Sequence, residues 1–102
     1  MQILNGTIPF NRQRGEGPHL ESTEVIFPAG VTQATALLTG FDAAFSPRND
    51  HHLGNLEVRL ETEIDPLAPR RVIVHGIFGL RDWSGDWDDN YEGEVFFSVV
   101  AE

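Results

Sequence analysis

No cysteine occurs anywhere in this 102-residue chain, which excludes a disulfide framework, a thiolate nucleophile and cysteine-ligated zinc. Basic residues are scarce: 7 Lys and Arg stand against 16 Asp and Glu, a formal net charge of −9. Nucleic acid and anionic membrane surfaces both call for a basic face, so neither is an expected partner. No apolar run is long enough to span a bilayer, and the first residues lack a basic segment followed by an apolar one. Membrane insertion is therefore not expected, and no signal peptide is evident. A soluble protein is expected, in a compartment the sequence leaves open. Trp and Tyr are few, two and one, and all three fall between residues 83 and 91.

What is present suits one modest core. The length fits a single domain over 1–102, and 40% of residues are hydrophobic. Ten glycines and six prolines imply many turns between short elements, which favours an all-β architecture.

Along the chain, residues 3–10 read as a short strand that Gly6 and Pro9 confine to an edge. Residues 11–22 carry little that is apolar and are expected to form a loop or irregular edge segment. Arg12 and Arg14 there read as solvated loop charges. Glu24, Val25, Ile26 and Phe27 form a short β-rich run stopped by Pro28 and Gly30. From Val31, the residues Ala, Gln and Leu favour helix, while Val31, Thr32, Thr35 and Thr39 favour strand. A strand is the expectation, with helix the alternative, and Phe41 and Phe45 are expected to enter the core. After a second polar connection at 46–54, Leu56, Val58, Leu60, Thr62 and Ile64 alternate with Glu57, Arg59, Glu61, Glu63 and Asp65. That period of two marks an outer antiparallel strand, half buried and half solvated. Residues 71–80 are apolar on both faces and read as a central strand. Residues 95–100 close the chain as another buried strand. About six strands separated by turn signals indicate an antiparallel β-sandwich.

Between the last two strands lies the densest polar stretch, residues 81–94. Asp82, Asp86, Asp88, Asp89, Glu92 and Glu94 surround Trp83, Trp87 and Tyr91. Charge at this density stays in water unless partnered, so a solvent-facing loop is expected. Aromatics on such a loop point to binding. Sugars offer hydroxyls to carboxylates and amides, and apolar C–H faces to aromatic rings. Trp83, Trp87 and Tyr91 would then form the platform, and Asp82, Asp86, Asp88 and Asn90 the hydrogen-bonding set. The bland alternative has the three rings folding back to plug the end of the sandwich.

Calcium is a further possibility, through Asp82, Asp86, Asp88 and Asp89. An EF-hand is excluded, because a loop starting at Asp86 would need Gly where Tyr91 stands and Glu where Phe97 stands. Zinc would draw on His19, His51, His52 or His75, but adjacent histidines on extended backbone point to opposite faces. His75, mid-strand, reads as a partly buried structural residue. No nucleophile elbow, phosphate loop or facing carboxylate pair is evident, so enzymatic activity is not expected.

The order of short motifs from residue 25 to residue 101 resembles the H-type lectin domain. These are V-I-F at Val25, T-G-F-D at Thr39, N-L-E-V at Asn55, V-I-V-H-G-I-F at Val72, R-D-W-S-G-D at Arg81 and S-V-V-A at Ser98. The Trp of the family's closing strand is missing, with Phe97 and Ser98 in that neighbourhood. The resemblance implies a six-stranded antiparallel sandwich, assembly as a trimer, and galactose-type sugars bound at subunit interfaces. Two other readings stand beside a carbohydrate-binding module. One is a structural subunit of a multimeric particle, since strands apolar on both faces have surface to cover. The other is a calcium-stabilised β module.

Overall fold

The structure is a computed structural model that describes residues 1–13, 17–45, 52–83 and 90–102. Its elements are six strands: β1 (Gln2–Gln13), β2 (His19–Ile26), β3 (Ala34–Phe45), β4 (Leu53–Ile64), β5 (Arg71–Asp82) and β6 (Tyr91–Ala101). They form two three-stranded antiparallel sheets, in the orders β1-β6-β3 and β2-β5-β4. The chain is an all-β sandwich, and the region from Val31 that was open between helix and strand is strand.

Burial explains which strands are central. In β5, Val72, Val74, Phe78 and Leu80 point inward and are buried; in β6, Tyr91, Val95, Phe97 and Val99 do the same. These two strands are the middle members of their sheets, and their inner residues make up most of one hydrophobic cluster. The outer face of β5 carries Ile73, His75 and Ile77, all half-buried. Their cross-strand neighbours Glu24 and Glu63, Ser22 and Glu61, and Leu20 and Arg59 flank them, and long polar side chains cover apolar surface well.

Edge strands behave differently. β1 lies at an edge, the kind of strand in which a Pro such as Pro9 is tolerated. β4 is likewise an edge, with Leu56, Val58, Leu60 and Ile64 packed against the core. Phe41 pairs with inward-facing Val95 yet is 47% exposed. An inward-facing position on an edge strand is covered from fewer sides than one on a central strand, so only Phe45 of the expected pair is core.

The loop expected at 11–22 is shorter than its composition implies. β1 runs to Gln13, which pairs with Tyr91, and β2 begins at His19, opposite Phe78. The ladder extends through the polar residues because Phe10, buried at its inner face, anchors the strand beyond Pro9. Conversely β3 starts at Ala34 rather than at Val31. Val31 is still core, 3% exposed, with its N–H donating to the Pro69 carbonyl.

The turn from β4 to β5 is tied by charge. Asp65 accepts from the Leu67 N–H at 2.9 Å, and Arg71 reaches both Asp65, at 3.1 Å, and Glu24. The Leu67 N–H, and then the Arg71 guanidinium, hold the Asp65 carboxyl below its ordinary range.

Close packing at the sheet centres needs small residues. At Gly93 a Cβ would overlap the Asp42 carbonyl oxygen and come within 2.8 Å of Phe78 Cζ. At Gly40 it would meet only Phe96, at 3.6 Å. Gly93→Ala is therefore expected to destabilise the domain by about 1–3 kcal/mol, as overpacking does, and Gly40→Ala by less than about 0.5 kcal/mol. Phe78→Ala should cost about 3–5 kcal/mol. Urea unfolding of the three variants checks the ranking.

Candidate functional site

The acidic-aromatic stretch is not one loop. Arg81 and Asp82 finish β5, and Tyr91, Glu92 and Glu94 belong to β6, so the connection is confined to residues 83–90. It crosses from one sheet to the other at one end of the sandwich. In β6 strand pairing reaches further into the charged residues than their composition indicates because its inner position there is the apolar ring of Tyr91.

Tyr91 departs furthest from expectation. It is fully buried, so it is not a surface platform but part of the end plug. Its ring packs edge-on against Phe78 at 5.6 Å and lies beside His19 at 5.7 Å, while Phe78 in turn contacts Phe10 at 5.1 Å. The hydroxyl donates to the Gly17 carbonyl, which satisfies the one polar atom such a position buries. Gly17, with φ at +83°, takes the left-handed backbone that suits glycine.

Trp83 has the opposite fate. It is 74% exposed at the end of β5. Its N–H donates to the His52 carbonyl at 3.0 Å, and the His52 ring meets the indole nearly edge-on, centroids 5.8 Å apart at 73°. Beside it, β4 has an irregularity between Leu53 and Asn55, where Gly54 lets the backbone approach that of Asp82. A backbone hydrogen bond and a ring contact thus hold an otherwise solvent-facing indole. Asp82 and Asn90 are half-buried on either side of the connection.

Of the remaining sequence candidates, Asp86, Trp87, Asp88 and Asp89 lie outside the described residues. The proposed calcium ligands are therefore represented in the structure by Asp82 alone. Among the described residues no group of three or more His, Asp or Glu is placed to hold a metal ion. His75 is half-buried on the outer face of β5, with Nδ1 2.7 Å from Ser22 Oγ and Nε2 3.8 Å from Glu63. His52 was considered in the sequence only for zinc. Its place against Trp83 arises from the pairing of Leu53 with Asp82, which no local pattern announces.

The outer face of the β1-β6-β3 sheet is divided along its length. Toward the Trp83 end, Glu94 pairs with Asp42 across the strands, and Glu92 is two residues away. A polar hollow of about 260 Å³ lies against these three acids. Like charges directly opposite one another raise the energy of the sheet. Further from that end, the rows Thr7–Phe96–Gly40, Asn5–Ser98–Leu37 and Ile3–Val100–Thr35 contain no ionisable side chain.

Burial pushes the Tyr91 phenol up to about 12, because the phenolate would lose its water. An unfolded chain titrates near 10, so stability due to this group is intact below about pH 10 and is lost as pH rises towards 12. The chain has a single Tyr, so the tyrosinate absorbance reports it alone. Ionisation should coincide with the alkaline loss of ellipticity; a transition near pH 10 in the folded protein would contradict the burial. Tyr91→Phe should lower stability by about 1 kcal/mol.

Comparison of the chain with protein-family models, with curated proteins and with solved structures returned no match.

Proposed function

We propose that the domain is a non-catalytic carbohydrate-binding module whose platform is the end of the sandwich around Trp83. The observation that carries this reading is an indole 74% exposed yet fixed by its backbone bond to His52 and by the His52 ring. Exposing so large an apolar ring has a cost in water, which a stacking ligand removes. Fixing the ring beforehand leaves less conformational freedom to lose on binding. A pyranose offers an apolar C–H face of the right size, and its hydroxyls suit a carboxylate and an amide, of which Asp82 and Asn90, at the two ends of the same connection, are the candidates. The acidic surroundings favour a neutral or basic sugar over an anionic one.

The resemblance to the H-type lectin domain supports the same reading, since it implies a six-stranded antiparallel sandwich and a sugar ligand. Galactose-type sugars are the first class to test.

On a glycan array the protein is expected to bind neutral glycans, and Trp83→Ala to weaken that binding at least tenfold, the scale on which buried aromatic anchors contribute. The melting temperature of the variant should match the parent, because the ring lies outside the core. Tyr91→Phe, which alters the plug but not the surface, should retain affinity. Absence of binding to every glycan, or a Trp83→Ala variant that binds as tightly as the parent, rejects the reading.

A further inference from the structure

We propose that the hollow beside Phe96, on the outer face of the β1-β6-β3 sheet, is a second ligand site and that it takes a neutral pyranose. It is separate from the Trp83 platform: Phe96 stands in the middle of β6 in one layer, and Trp83 just past the end of β5 in the other. The inference does not rest on the Trp83 reading.

Three local features build the hollow. Phe96 is half-buried on the central strand, between Thr7 of β1 and Gly40 of β3. A Cβ at Gly40 would meet Phe96 Cδ2 at 3.6 Å, so the ring has beside it a position with no side chain to cover it. The β3 ladder skips Thr39, since Leu38 pairs with Phe97 and Gly40 with Phe96. A bulge of this kind re-aims a side chain, and Thr39 joins the rim. One row on, Ser98 donates its hydroxyl hydrogen to the Asn5 side-chain carbonyl, which orients the Asn5 amide and leaves its N–H groups as the donors it can offer. The result is a shallow hollow of about 440 Å³ rimmed by Asn5, Thr7, Thr39 and Ser98, with the aromatic ring among its walls. Small-ligand sites span about 300–1,000 Å³.

The ligand class follows from the lining. None of the residues around the hollow is ionisable, so a charged ligand would give up water there without gaining a counter-charge. A wholly apolar ligand would cover hydroxyls and an amide and leave them without partners. A neutral pyranose avoids both costs: its C–H face suits the Phe96 ring, and its hydroxyls suit Asn5, Thr7 and Thr39. An open-chain polyol shares the hydroxyls but has no rigid C–H face, and it loses more conformational freedom on binding.

Amide NMR of the full chain reads both sites at once. The protein is titrated with the methyl glycosides of galactose, glucose, mannose and N-acetylgalactosamine. At least one of them is expected to shift the amides of residues 5–7, 39–40 and 96–98 saturably, in the millimolar range that suits a shallow site. Methyl glucuronide, which is anionic, should bind there more weakly. Asn5→Ala and Thr39→Ala, both at exposed positions, should each weaken binding by about threefold to tenfold, the scale of one hydrogen bond, with unchanged melting temperature. Phe96→Ala, where it folds, should abolish the saturable shifts, and Trp83→Ala should leave them as in the parent. The proposal is overturned if no glycoside moves these amides, or if folded Asn5→Ala and Thr39→Ala both bind as tightly as the parent. Equal affinity for the glucuronide overturns the assignment of a neutral ligand. Shifts confined to Trp83 and its neighbours overturn the second site and leave the Trp83 platform standing; shifts confined to the hollow do the reverse.

Discussion

Val72, Val74, Phe78 and Leu80 of β5 pack across the sandwich from Val95, Phe97 and Val99 of β6, within a single cluster. The other four strands are arranged by this contact. Each central strand carries one edge strand on either side, and each edge strand buries its inner residues only as far as the central pair extends. With no disulfide to restrain the unfolded chain, stability rests on apolar burial and on the two hydrogen-bonded ladders. The ladders are long for their composition because one buried aromatic near each end, Phe10 in β1 and Tyr91 in β6, carries pairing past residues that would otherwise be loop.

The same constraint separates the aromatics of the acidic stretch into two roles. Tyr91 occupies an inner position on a central strand, and its hydroxyl finds the carbonyl of Gly17, so it seals the core. Trp83 lies just past the end of β5 and is largely exposed, and among the described residues His52 steadies it. The two rings are thus neighbours in sequence but opposites in burial. β5 and β6 are the central strands of different sheets, so Asp82 and Tyr91, at the two ends of this stretch, belong to opposite layers of the sandwich.

Charge is distributed with similar asymmetry. The acids gather on the outer face of β2-β5-β4 and near the Trp83 end of the other sheet. What they leave is a neutral block of hydroxyls, amide and half-exposed apolar side chains at the far end.

The sequence by itself determined the fold class, the central place of residues 71–80 and 95–100, and the edge places of β1 and β4. Those follow from local patterns, namely period-two alternation, two-faced apolar runs, and a Pro that only an edge strand accepts. It did not determine the limits of the strands near residues 11–22 and 81–94, because a ladder hydrogen bond is decided by the partner strand and not by local polarity. Nor could it tell Trp83 from Tyr91, since both are aromatics amid acids and differ only in which layer of the sandwich lies over them. The contact of His52 with Trp83 and the charge-free rows on one face likewise exist only once register is set. Sequence carries the periodicity that selects a β-sandwich; tertiary pairing decides which face, which end and which neighbour each side chain receives.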